Sequence, residues 1–179
     1  MALGTGCQQT KDGNVENEEK IVTIAQGINI ERSIITWILE GDELVNGAVK
    51  IDSGSLLHLA DMTPARVGMV SKDMIFESAD SIGYNMEVRL SDIVLFDSAG
   101  LDTASLSRDF VLDNPSHLAV IQLVIEDSTT RSGIPIRIRG NGETFEVEGK
   151  VSLESTELLP SSPLQQLHIG FLVHTDKTE

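Results

Sequence analysis

Four histidines, His58, His117, His168 and His174, are the side chains whose chemistry would be easiest to read, and they are scattered along the chain. His168 and His174 could face the same way on one strand, but a metal-binding pair on a strand more often stands two residues apart. The single cysteine, Cys7, rules out an intrachain disulfide and a cysteine-based zinc site. No Gly-x-Ser-x-Gly elbow, phosphate-binding glycine loop or dinucleotide fingerprint occurs. Asp and Glu number 28, but they fall on the polar side of alternating runs and in turns, where carboxylates stay solvated. Paired-carboxylate catalysis needs one carboxyl pushed into apolar surroundings, and no position here forces that. Asn114-Pro115-Ser116 cannot accept a glycan, because proline stands in the middle. The expectation is a protein that is not an enzyme and has no catalytic or metal-ligating residues.

Charge narrows the partners. Against those 28 acids stand 13 Lys and Arg, a net charge of −15. Such a surface repels phosphate backbones, so nucleic acid is not an expected partner. It is also repelled from anionic lipid faces unless a lipid anchor holds it there. Cys7 offers a place for one. Small residues Gly4, Thr5 and Gly6 precede it and a polar run from Gln8 to Lys20 follows, the order found at the end of a bacterial lipoprotein signal. Acylation at Cys7, with residues 1–20 as a flexible tether, is one reading. A free thiol in a loose N-terminus is the other. Residues 21–179 then form one domain, long enough to bury a core. No run of about 18 apolar residues is present, so no helix is expected to span a membrane.

The elements that must position any site are strands. Phe145, Val147, Val151 and Leu153 alternate with Glu146, Glu148, Lys150 and Ser152, which gives a strand with one dry and one wet face. Ile134–Arg139 alternates too, and Gly140-Asn141-Gly142 between the two runs reads as a hairpin turn. Asn46-Gly47 reads the same way, between strands over Ser33–Glu40 and Ala48–Ile51. Further strands are expected within Ile21–Ile30, Arg66–Phe76, Met86–Phe96, His117–Glu126 and Leu167–Val173. Turn chemistry separates them at Asp52-Ser53-Gly54, Thr63-Pro64, Ser98-Ala99-Gly100, Asn114-Pro115 and Pro160–Pro163. Only Leu101–Asp109 has helical spacing. Nine or ten strands in one chain predict an all-β domain, an antiparallel barrel or else a sandwich.

Several blocks, in order, resemble the YceI-like family of periplasmic, lipocalin-like polyisoprenoid-binding proteins. They are Ser33-Ile-Ile-Thr-Trp37, then Asn46-Gly-Ala-Val-Lys-Ile-Asp-Ser-Gly-Ser-Leu56, Asp73-Met74, Leu106-Ser-Arg-Asp-Phe110 followed by Pro115, and Phe145-Glu-Val-Glu-Gly-Lys-Val-Ser-Leu153. The resemblance spans Ile30 to Val173. It implies an antiparallel lipocalin-like β-barrel whose dry faces line a tunnel for a long apolar lipid, a polyisoprenoid or quinone-type molecule, with no other cofactor. The lining it implies is Ile35, Trp37, Val49, Ile51, Met74, Phe76, Phe110, Ile121, Leu123, Phe145, Val147, Val151, Leu153 and Phe171. It further implies a place in the periplasm or outer envelope, close to a membrane if Cys7 is acylated. Trp37, the sole tryptophan, is either a core plug or a wall of that cavity. The competing reading is a structural or adhesive surface β-sandwich lipoprotein with a solid core and no small-molecule ligand. Nothing in the residues sets the oligomeric state.

Overall fold

The structure, a computed structural model, describes residues 22–40, 44–75, 83–95, 112–154 and 166–177. The tether, Cys7, Leu101–Asp109 and the turns at Ser98–Gly100 and Pro160–Pro163 lie outside the described residues. Ten strands form: β1 Thr23–Gly27, β2 Ile34–Glu40, β3 Leu44–Lys50, β4 Ser53–Leu59, β5 Pro64–Ile75, β6 Gly83–Leu95, β7 His117–Ile125, β8 Ser128–Gly140, β9 Phe145–Glu154 and β10 Gln166–His174. The described residues contain no helix.

All ten strands belong to one sheet, in the order β1-β4-β5-β6-β7-β8-β9-β10-β2-β3, and every pairing is antiparallel. Among the described residues there is no second sheet for it to pack against, so the sandwich alternative does not hold. Such a sheet can bury its apolar face only by curling round it. The curl is visible where the first strand meets the last. Ile28, just past β1, bridges Thr175, just past β10. Asn29 N donates to His174 O at 2.8 Å, and Asp176 N donates to Gly27 O at 2.8 Å. On the opposite side of β1, Ile28 N donates to Gly54 O at 3.2 Å. Near the start of β4, the Ser71 hydroxyl donates to Lys50 O at 2.9 Å, tying β5 to the end of β3.

Alternation explains which face turns inward. In β7 the buried residues are Ala119, Ile121, Leu123 and Ile125, every second position. In β9 Phe145, Val147 and Val151 are buried while Lys150 and Ser152 are exposed, the division the sequence predicts. Outside, Arg137 pairs with Glu148 and Arg139 with Glu146 across β8 and β9. The hairpin between these strands turns at Asn141–Thr144, with Gly142 at φ +85° and the Asn141 side-chain oxygen Oδ1 accepting from the Glu143 and Thr144 amides.

Two predicted turns are strand. Asn46 and Gly47 lie inside β3, paired with Ile38 and Trp37. Gly47 is glycine because a Cβ there would come within 2.6 Å of the Trp37 indole. Ser53 and Gly54 open β4 and pair with Val70 and Met69 of β5. A Cβ on Gly54 would sit 2.5 Å from Gly68 O and from the Ile28 side chain, so the residue serves close strand approach.

Candidate functional site: the interior of the curled sheet

The inward faces converge on one apolar cluster running through all the strands from β2 to β10, with Ile28 added at the end of β1. Most of it is aliphatic: Leu56 from β4, Val67 and Met69 from β5, Met86, Val88 and Leu90 from β6, Ile134 and Ile136 from β8, Leu167, Ile169 and Val173 from β10. Aromatic groups cluster on one side. Trp37 lies over Gly47, and Phe171 lies over Gly149, its cross-strand partner, where a Cβ would meet ring carbons at 2.9 Å. These glycines let large rings lie flat against the neighbouring strand.

One end of this interior is polar. Gln26 is 3% exposed, His58 2% and Thr175 3%. The Gln26 amide donates to Glu143 O at 2.6 Å and to Asp176 O, fastening the β8–β9 hairpin to the chain beyond β10. The Thr175 hydroxyl oxygen accepts from Phe145 N at 2.7 Å. The His58 ring lies 5.5 Å from the Phe145 ring, centroid to centroid, and its Nδ1 stands 2.7 Å from Leu59 O. His58 Nε2 and Gln26 Oε1 are buried with no hydrogen-bond partner.

No protein-family model matches the chain, and no curated protein matches it. Solved structures do. The crystal structure of BcnA from Burkholderia cenocepacia superposes with a TM-score of 0.55 at 12% identity, covering 83% of this chain and 99% of that one. A polyisoprenoid-binding domain from Saccharophagus degradans, implicated in plant cell wall breakdown, aligns with a TM-score of 0.45 at 10% identity, covering 85% of this chain and 98% of that one. The likeness to BcnA is one of fold, an antiparallel sheet curled in the lipocalin-like manner.

In this curled sheet, nine of the lining residues drawn from the sequence resemblance share the one interior cluster: Ile35, Trp37, Ile51, Ile121, Leu123, Phe145, Val147, Val151 and Phe171. Val49 and Leu153 pack against it, partly buried. Met74 belongs to β5, but its side chain, like Phe76 and Phe110 altogether, lies outside the described residues. The sequence reading passed over the aliphatic lining of β4 to β6 and the polar end. For His58 a local signal existed: it alternates with Leu56, which marks it as inward-facing.

The other histidines do different work. His168 lies outward of the cluster, 2.8 Å from the Ser152 hydroxyl and 3.4 Å from Glu40, bracing β9, β10 and β2. The His174 amide donates to the Ser33 hydroxyl. Among the described residues, no group of three or more His, Cys, Asp or Glu side chains is placed to hold a metal ion.

Proposed function

We propose that the chain binds a long apolar ligand of the isoprenoid type inside the curled sheet and carries it without chemical change. The observation behind this reading is the architecture itself: one sheet, with no second layer among the described residues, wrapped round a lining of Ile, Leu, Val and Met. A curled sheet of this strand number encloses a volume that takes either side chains or one small ligand. Here the large rings are folded against the walls over Gly47 and Gly149, which favours space at the centre. The ordered sequence blocks that resemble YceI-like proteins point the same way.

An isoprenoid tail would be held by removal of its surface from water, at about 0.8 kcal/mol for each buried CH₂. With few hydrogen bonds available along the lining, length and shape set the preference. The net charge of −15 keeps the loaded carrier dispersed, and acylation at Cys7 would hold it beside the membrane of a periplasm or outer envelope.

Two measurements test this. Organic extraction of the purified full chain, followed by mass spectrometry, should yield a co-purified lipid. Val147→Trp, at a fully buried position of the lining, should abolish uptake of a long-chain isoprenoid while costing less than about 1 kcal/mol of stability if the interior opens to a ligand. A cost of about 1–3 kcal/mol, the usual penalty for overpacking a filled core, together with no lipid in the extract, would end the carrier reading.

A further inference from the structure

We infer that the polar end of the interior is a recognition site for a hydroxyl group, so that the ligand is an apolar chain ending in an alcohol or a phenol. The inference rests on the lipid-binding reading above and adds which headgroup the interior accepts.

Gln26 and His58 are inward-facing residues of adjacent strands, since Gln26 pairs with Leu56 and His58 follows two positions later on β4. Each is more than nine-tenths buried, and each leaves one polar atom unpartnered, Gln26 Oε1 and His58 Nε2. The kind of atom decides the ligand chemistry. Gln26 Nε2 lies against two carbonyl oxygens, Glu143 O and Asp176 O, which can only accept, so the amide orientation is fixed and Oε1 is the free acceptor. His58 Nδ1 likewise faces a carbonyl, Leu59 O, and therefore carries the hydrogen. In the neutral ring Nε2 is then a lone-pair acceptor. Two buried acceptors stand without a donor at the end of an otherwise apolar interior.

An unsatisfied buried acceptor is costly, and two on adjacent strands call for a donor from outside the chain. A ligand that only accepts, such as a ketone, an ether or a deprotonated phosphate, would leave both orphaned. A hydroxyl donates to one of them. The Phe145 ring beside His58 supplies an apolar wall for the first carbons of the chain.

The test compares ligands that share one C20 isoprenoid tail: geranylgeraniol, its methyl ether, and a phenol carrying the same tail. Affinity is read from Trp37 fluorescence on the full chain. The alcohol, the phenol or both should bind about tenfold tighter than the ether, the fold-change expected of one buried hydrogen bond. The tighter of the two identifies the headgroup. In His58→Phe the gap between the hydroxyl ligands and the ether should close, since a ring against Phe145 is kept without the Nε2 acceptor and Leu59 O still accepts from Met62 N at 3.0 Å. A second readout needs no variant. The ¹⁵N resonance of His58 Nε2 in the unmodified protein should move on adding the hydroxyl ligand and stay put on adding the ether.

Equal binding of all three ligands, an unmoved His58 resonance, or a gap that survives His58→Phe would overturn the hydroxyl site and leave lipid binding standing. Binding of none of them would remove both. A bound water bridging Nε2 and Oε1, with the alcohol seated elsewhere, would also overturn it.

Discussion

The two walls of the interior are built differently. On the β9-β10-β2-β3 side the register runs without interruption, and rings of Trp37 and Phe171 lie over glycines on the neighbouring strands. On the β5-β6-β7 side the inward residues described are aliphatic or methionine apart from Ser71, and both pairings slip, between Ser71 and Met74 and between Ser91 and Val94. Asp92, at φ 51°, sits in the second slip and bends the strand there. The first wall is a fitted surface in which ring and glycine specify each other. The second gains its curvature from irregular pairing and its fit from side chains that can change rotamer. A ligand held as proposed would meet one rigid wall and one adaptable wall.

The largest effect should come from breaking a ring–glycine pair. Gly149→Val drives a branched side chain into the Phe171 ring, and the expected loss is at the upper end of about 1–3 kcal/mol by chemical denaturation. Gly68→Ala on β5 is the matching control. Nothing lies within 4 Å of a Cβ there, so the change should be neutral or stabilise by up to about 1 kcal/mol. Equal losses at the two glycines would erase the distinction between the walls.

A smaller effect is expected at Met86, fully buried in the adaptable wall. Met86→Leu should cost under about 1.5 kcal/mol and leave binding of a straight-chain lipid within a few-fold. A loss as large as that of Gly149→Val would mean that this wall, too, is tightly fitted.

The smallest effect concerns the rim of the same wall. His117 begins β7, opposite Leu95 and Ile136, and burial pushes its imidazole below the ordinary value near 6.5. A depressed value in the folded state means the unfolded chain takes the proton first as pH falls. Stability from this group is therefore greatest above about 6.5 and declines as pH drops through that value. Solvent reaches part of the ring, so the decline should be slight. A proton NMR titration of His117 with its midpoint at or above 6.5 would show a wet rim.

Legibility in the sequence followed the range of the interaction that fixes each residue. β7 and β9 were readable because alternation is local: Val147 and Glu148 take opposite faces whatever the partner strand. Trp37 and Gly47 are ten positions apart, and the glycine answers to the indole across the strand pair, so Asn46-Gly47 imitates a turn it does not make. Ser53-Gly54-Ser55 looks like loop chemistry for a similar reason. Its small residues are demanded by Gly68 and Ile28. The first half of β8, Ser128–Gly133, carries polar residues on both faces and gives no period to detect. The polar end was invisible because Gln26 finds its carbonyls 117 and 150 positions away, and only the folded sheet brings them together.

The bridge between Ile28 and Thr175 also sets a timetable. Asn29 meets Asp176 across 147 positions, and β2 must wait for β10 before it has a partner on that edge. During synthesis, β1 and β4 to β9 can zip together as they emerge, but the β2–β3 hairpin stays without its neighbour in the sheet until the last dozen described residues appear. Contacts this distant slow folding, and the exposed edge of an unfinished meander invites pairing with other chains. Closure at Ile28 and Thr175 is therefore expected to be the last event of folding, and only then is the interior complete.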